Sequence, residues 1–170
     1  RYVLLETVRQ YTLEKLQDSG GLPALQDQHL AYYLEFAERG SPHLSMGRAG
    51  LTERFETDYD NLRAAMEHAI THHPESAIRF GDPLWWFCDI TSRIRESYEW
   101  AMRILALTDA WPPGKLRATA LLLAGDRFST MGEYQKGQVL MEASLEMAGE
   151  LGDKNLTNNI LYDLTTVRYF

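Results

Sequence analysis

Apolar side chains recur along this chain at the three- and four-residue spacing of helices, whereas the alternating pattern of strands is nearly absent. Glycine, proline and Asx residues interrupt the spacing at intervals, as they do between helices. The pattern therefore predicts an all-α fold. Helices are predicted over about 4–17, 23–39, 51–72, a segment interrupted at 81–83 that runs to about 90, 94–108, 115–131, 134–150 and 154–169.

Two glycine-containing segments are expected to break helices. Gly40 is expected to end the second helix, so that residues 41–50 (SPHLSMGRAG) form a loop. In residues 81–83 (GDP), Asp82 can cap a helix and Pro83 can take its first position, where a missing N–H costs nothing. We expect a break or kink there, followed by a fresh helix.

Both ends of the chain fall inside patterned segments. The chain opens with RYVLLETVRQYTLEKL (1–16), and real N-termini are more often frayed and polar, so we expect a piece of a longer protein. Residues 1–4 have two interpretations, the start of the first helix or the end of a strand that leads into it. The last helix has no visible partner in the sequence, so we expect the repeating pattern to be truncated at Phe170.

Composition limits the classes of function. The 170 residues are 45% hydrophobic and carry a net charge of −7, with 17 scattered basic residues. Nucleic-acid binders usually show a basic footprint, so we expect no direct DNA contact by this piece. No apolar run is long enough to span a bilayer, and no membrane partner is expected. Cys88 is the single cysteine, which excludes an intrachain disulfide and fits a cytoplasmic location.

A repeat is visible in residues 121–151, LLLAGDRFSTMGEYQKGQVLMEASLEMAGEL. The repeat has, in order, a small residue, an aromatic residue, a turn, a small residue, a large residue and a small residue. The small residues let two helices approach each other, and the large ones fill the gap to the next pair. These positions are Gly125, Phe128, Gly137, Met141 and Ser144. A weaker copy lies forty residues earlier at Trp85, Cys88, Ser97, Ala101 and Ile104, and a poorer one begins at Thr165 and Arg168. The pattern resembles tetratricopeptide repeats and implies antiparallel helix pairs in a partial superhelical array.

Three blocks precede these repeats: RYVLLETVRQYTLEKL (1–16), HLAYYLEFAERGSPHL (29–44) and FETDYDNLRAAMEHAI (55–70). Their order resembles the region after the nucleotide-binding core of bacterial STAND-type ATPase regulators, which often carry a LuxR-type DNA-binding domain. The resemblance implies that 1–73 is a winged-helix end with linker helices, and that 74–170 is a degenerate tetratricopeptide-like sensor array. The ATPase itself would lie upstream, because the chain has no G-x-x-x-x-G-K-[ST] loop.

Histidines offer the strongest metal-like pattern. His68 and His72 are four residues apart on one predicted helix face, with His73 adjacent, but no third ligand is evident and HExxH is absent. A solvated helix C-terminus explains them better, so we expect no metal. His29 lies on an aromatic stripe and is expected to be a hydrogen-bonded packing residue.

No catalytic constellation is found, and the chain is expected to be neither an enzyme nor a cofactor binder. Cys88 lacks a histidine partner and is expected to be a buried, inert thiol. The carboxylates in 53–60 are expected to form a solvated face. Trp85, Trp86 and Phe87 allow two interpretations, core packing or a platform for a ligand.

In superhelical arrays the first helix of each pair lines the concave surface. The inward-facing positions of these first helices are therefore the candidate binding surface. The candidates are Arg79, Trp86, Asp89, Thr119, Leu122, Asp126, Ser129, Asn159, Tyr162, Thr166 and Tyr169. Aromatic and polar groups in this mixture suit a peptide or small ligand. The alternative is that neighbouring helices cover some of these positions.

The expected function is a non-enzymatic sensor and protein-interaction region of a cytoplasmic bacterial signal-transduction ATPase and transcriptional regulator. Its partners would be the upstream ATPase and winged-helix domains of the same protein and a peptide, protein or small-molecule effector. The alternative is a helical-repeat scaffold or adaptor without a small ligand, including one that forms a homo-oligomer.

Overall fold

The computed structural model of the chain describes residues 6–44 and 49–167, and these ranges contain nine helices and no strand. The prediction of an all-α fold is confirmed. The helices are α1 (Glu6–Asp18), α2 (Leu22–Leu44), α3 (Ala49–Thr57), α4 (Tyr59–His72), α5 (Pro74–Ile90), α6 (Ile94–Thr108), α7 (Lys115–Thr130), α8 (Tyr134–Leu151) and α9 (Lys154–Val167). Within the described residues, none of these helices combines the length and apolarity that a bilayer span needs.

The second helix does not end at Gly40. Helix α2 continues to Leu44, and α3 begins at Ala49, so the loop expected over 41–50 is wrong at both of its ends; residues 45–48 lie outside the described part. A β-carbon on Gly40 would lie 2.5 Å from the Phe55 ring, so this glycine permits close packing of two helices. The strand expected as an alternative at 1–4 also lies outside the described residues.

The third predicted helix is two helices, because α3 ends at Thr57 and α4 begins at Tyr59. Helix α5, in contrast, runs without a break from Pro74 to Ile90 with Pro83 inside it. The expected fresh helix after 81–83 is therefore wrong. An interior proline costs about 3 kcal/mol, but Pro83 is buried and its neighbours Phe80 and Leu84 are fully buried in the core. Their packing holds the helix together across the proline.

Two hydrophobic cores hold the helices together. The first extends from Leu30 on α2 through Met66, Phe80 and Trp100 to Leu123 on α7, so it crosses the boundary expected at residue 73. The second joins α7, α8 and α9. Helix α7 contributes to both cores and therefore connects the two halves of the array.

Helices α7 and α8 form an antiparallel pair. The Ser144 hydroxyl donates to the Ala118 carbonyl at 2.7 Å, and a β-carbon on Gly137 would lie 2.6 Å from the Gly125 carbonyl oxygen. Residues near the start of α7 therefore contact residues near the end of α8, and residues near the end of α7 contact residues near the start of α8. The small residues at 125 and 137 allow this close approach, as the repeat pattern predicts.

Helices α5 and α7 lie side by side in parallel. Trp85 Nε1 donates to the Leu123 carbonyl at 3.4 Å, and Arg127 pairs with Asp89; each pair is 38 residues apart in the chain. Helix α9 packs on α8 and reaches α7. The first helices of successive pairs are thus neighbours, and the surface that they share contains the candidate site.

Candidate functional site

A cavity of about 330 Å³ lies between α5, α7 and α9. Its walls consist of four aspartates, three aromatic side chains, two leucines, one arginine and one asparagine. They are Asp82, Trp85, Trp86, Asp89, Leu122, Leu123, Asp126, Arg127, Asn159, Tyr162 and Asp163. This volume is at the lower end of the range for small-molecule sites, about 300–1,000 Å³.

Six of the eleven residues proposed from the sequence line this cavity together. They are Trp86, Asp89, Leu122, Asp126, Asn159 and Tyr162. The structure thus brings residues from three successive first helices to one place. Their role in binding stays a prediction.

Of the other five candidates, Arg79, Thr119 and Ser129 are not in the cavity wall. Arg79 forms an ion pair with Glu38 on α2, with 2.7 Å between Nη2 and Oε1. Thr119 and Ser129 donate to backbone carbonyls four residues earlier in α7, and Ser129 is buried. The remaining two fall outside what the structure describes, namely the side chain of Thr166 and all of Tyr169.

Sequence reasoning missed five residues of the wall: Asp82, Trp85, Leu123, Arg127 and Asp163. One of these five residues could have been identified from the sequence pattern. Arg127 continues the apolar stripe of α7 through Ala120 and Ala124, at the spacing of one helix face. An arginine on such a stripe is typical of a buried ion pair, because an unpaired charge is too costly to bury.

Arg127 connects three helices at the base of the cavity. Its side chain is 2% exposed, and its two terminal nitrogens donate to both carboxylate oxygens of Asp89 on α5, at 2.6 and 3.0 Å. Nη2 and Nε also donate to Asp126 at 2.5 and 3.1 Å, and Nη1 donates to the Ser97 hydroxyl on α6 at 3.1 Å. These ion pairs hold the pKa of Arg127 above its ordinary value despite burial.

The wall of the cavity has an excess of negative charge, since four carboxylates face one guanidinium. Burial above all, together with the charges of Asp126 and Asp82, raises the pKa of Asp163 to about 7, although Arg127 opposes the shift. Burial also raises the pKa of Asp126, although Arg127 opposes the shift. Ionisation of Asp126 and Asp163 is therefore costly, and a nearby cation would lower that cost.

The aromatic cluster at 85–87 divides between core and cavity. Trp85 and Phe87 are buried, and the Trp85 ring stacks with Trp100 at 6.4 Å between centroids. Trp86 lines the cavity with 43% of its surface exposed, and Tyr162 is 72% exposed on the opposite wall. Core packing is therefore confirmed for Trp85 and Phe87, whereas a ligand platform at Trp86 stays a prediction.

Comparison with known proteins gives a partial match. The chain is 36% identical over 109 residues to proteins of Mycobacterium bovis and Mycobacterium tuberculosis that are named as HTH-type transcriptional regulators. Part of this chain is similar to transcriptional regulators. The match covers 62% of the chain and only 12% of the length of these relatives. No protein-family model matches the chain, and no solved structure matches it significantly.

Among the described residues, one group of side chains away from the cavity has donor atoms close enough together to hold a metal. Nε2 of His68 and Nε2 of His73 each lie 2.8 Å from the same carboxylate oxygen of Asp27 on α2. The structure thus supplies the third ligand that the sequence did not reveal. Cys88 is buried as predicted, and burial raises the pKa of its thiol to about 12.

Proposed function

We propose that this chain is the ligand-sensing region of a transcriptional regulator, and that the cavity between α5, α7 and α9 is its ligand site. The similarity to part of HTH-type transcriptional regulators supports the regulatory role. The observation that carries the ligand site is the convergence of six predicted concave-face residues on one cavity. In this proposal the chain recognises an effector and performs no chemistry on it.

The wall of the cavity favours a small organic cation. Four carboxylates and one guanidinium leave a negative excess, and Trp86 and Tyr162 offer ring faces that attract ammonium groups. A cation bound there would favour the ionised form of Asp163, because burial makes that carboxyl group costly to ionise. An amine with an aromatic or aliphatic body fits both the charge and the volume.

The finer proposal is that binding is transmitted to an upstream ATPase switch of the STAND type in the cytoplasm. Because the cavity lies between three helices, a ligand that contacts all three favours one arrangement of them. A coupling of about 1–3 kcal/mol is typical of such regulation. The resemblance of the first three sequence blocks supports this finer assignment.

The test compares three probes that share a phenethyl group and differ in charge: phenethylamine, 2-phenylethanol and 3-phenylpropanoate. Binding is measured by isothermal titration calorimetry and by tryptophan fluorescence, since Trp86 lines the cavity. Phenethylamine is expected to bind most tightly and 3-phenylpropanoate most weakly. Equal affinities, or preference for the anion, would exclude a cation site.

Variants locate the bound probe. Trp86→Ala and Tyr162→Ala are expected to weaken phenethylamine binding while leaving the helical circular dichroism unchanged. Tyr32→Ala is the matched control, because Tyr32 is a 63% exposed tyrosine on α2, away from the cavity wall. Equal weakening by the control would place the probe elsewhere.

A second candidate function, self-assembly, is favoured by an apolar depression beside α8. Val139 is 64% exposed there and lies with Leu140, Phe128 and Leu105. Light scattering across protein concentration measures this association. Reversible association that Val139→Lys abolishes, without dependence on phenethylamine, would favour the scaffold.

A further inference from the structure

Four histidines of the described part of the chain lie near one another, where α2 packs against the end of α4 and the start of α5. His68 and His72 have ring centroids 4.8 Å apart, and the rings of His68 and His73 are 5.5 Å apart. His29, on α2, is close enough to His68 for their charges to interact. The cavity of the proposed function lies between α5, α7 and α9, and none of these histidines lines it.

Three of the potential ligands at this junction point to one place. Nε2 of His68, Nε2 of His73 and a carboxylate oxygen of Asp27 all lie within 4.8 Å of one another. The oxygen is 2.8 Å from each nitrogen. Ligands around a tetrahedral zinc ion are about 3.3 Å apart, given bonds of about 2.0–2.1 Å. To admit the ion, the oxygen would move about half an ångström away from each nitrogen, and the two nitrogens, which lie within 4.8 Å of each other, would approach to about 3.3 Å.

We propose that Asp27, His68 and His73 form a zinc site that links α2 to the junction of α4 and α5. Two imidazole nitrogens and one carboxylate oxygen are a donor set that suits zinc. Three protein ligands leave the fourth tetrahedral position to water. The side chains of Asp27 and His73 are 52% and 42% exposed, so the ion can enter from solvent, whereas His68 is 10% exposed.

Helix packing sets the geometry of this site. His68 and His73 are five residues apart, and α4 ends between them at His72, so the chain turns before His73. The His73 N–H donates to the Ala69 carbonyl at 2.8 Å, which fixes the backbone at the turn. Asp27 comes from the facing helix 41 and 46 residues away in sequence.

The test uses the full 170-residue chain without a purification tag, treated with a chelator and then titrated with Zn²⁺ against a chromophoric chelator. One ion per chain is expected, with a rise in the melting temperature because the ion binds the folded state. Asp27→Asn and His73→Ala are each expected to weaken binding by about tenfold or more. Asp109→Asn, which removes an exposed carboxylate elsewhere, is the matched control.

His72→Ala separates this site from a simpler one, the pair His68 and His72 at four-residue spacing. Retained affinity in His72→Ala supports the three-ligand site. Loss in His72→Ala with none in Asp27→Asn would overturn it, as would the absence of saturable binding at micromolar Zn²⁺. If the variants lose helicity, X-ray absorption of the zinc-loaded native chain reads the ligands directly, and a shell without two imidazoles would also overturn the site.

Discussion

The guanidinium of Arg127 donates to both oxygens of the Asp89 carboxylate, across the interface between α5 and α7. It also donates to Asp126, so a buried cation is surrounded by two anions. Removal of the cation leaves both carboxylates, whose side chains are 41% and 35% exposed, without the buried partner that holds α5 and α7 together. Such a loss typically destabilises a protein by about 3–5 kcal/mol.

Arg127→Met is therefore expected to lower the free energy of unfolding by about 3–5 kcal/mol at neutral pH. Urea denaturation followed by circular dichroism measures this change. Arg95→Met is the control, because Arg95 is 88% exposed and its pair with Glu99 is solvated. A loss of less than about 1 kcal/mol in Arg127→Met, the size expected for an exposed pair, would contradict the structural role of this arginine.

The raised pKa of Asp163 makes a second prediction, on stability and pH. The pKa is about 7 in the folded chain and 3.8 in the unfolded chain. Between pH 3.8 and about 7 the carboxyl is ionised in the unfolded chain and protonated in the folded chain. The stabilisation that this group contributes is therefore fully present below pH 3.8 and is lost as the pH rises to about 7.

Asp163→Asn is expected to become more stable relative to the native sequence as pH rises from 4 to 8, by about 1–2 kcal/mol after allowance for solvent screening. Urea denaturation of both proteins across this pH range measures the difference. Asp60→Asn, at an exposed aspartate on α4, should show no comparable trend. A pH-independent difference for Asp163→Asn would show that its carboxyl has an ordinary pKa.

Two glycines of α8 are expected to respond in opposite ways to alanine. In Gly137→Ala the new methyl group would lie 2.6 Å from the Gly125 carbonyl oxygen, so α7 and α8 must separate, at a cost of about 1–3 kcal/mol. Gly149 has open space at the same position, and alanine favours helix, so Gly149→Ala should stabilise by up to about 1 kcal/mol. Thermal denaturation of the two variants tests the pair, and two changes of the same sign would contradict the close packing.

Cys88 is expected to react slowly with iodoacetamide in the native chain. Its side chain is fully buried, and a pKa of about 12 keeps the thiol protonated at neutral pH. The reaction rate should rise steeply in urea, in parallel with the loss of helicity. Rapid alkylation without denaturant would show that α5 opens locally around this residue.

Helix content was predictable from the sequence because it depends on local spacing, and the confirmed all-α fold follows from that spacing. The two errors at Gly40 and in residues 81–83 have a common cause. Glycine and proline were interpreted by their local preferences, but Gly40 packs against Phe55 and Pro83 lies inside a buried helix. Tertiary packing outweighed the local preference at both positions.

The candidate site was predictable where it follows the helical repeat, as at Trp86, Asp126 and Tyr162. It was not predictable where the partner is distant in sequence. Asp27 approaches His68 only because α2 packs against α4, and no short-range pattern records that contact. A residue such as Arg79 has the right periodicity but finds an ion-pair partner, Glu38, on another helix.

The cavity takes its walls from three successive first helices, and no single helix pair contains it. Under the proposed function, the specificity of this cavity for an effector depends on how successive helix pairs follow one another. Substitutions on one helix would adjust one wall and leave the other two intact, so related chains could acquire new effectors one repeat at a time. Loss or duplication of a whole pair would instead abolish the site or create a second one beside it.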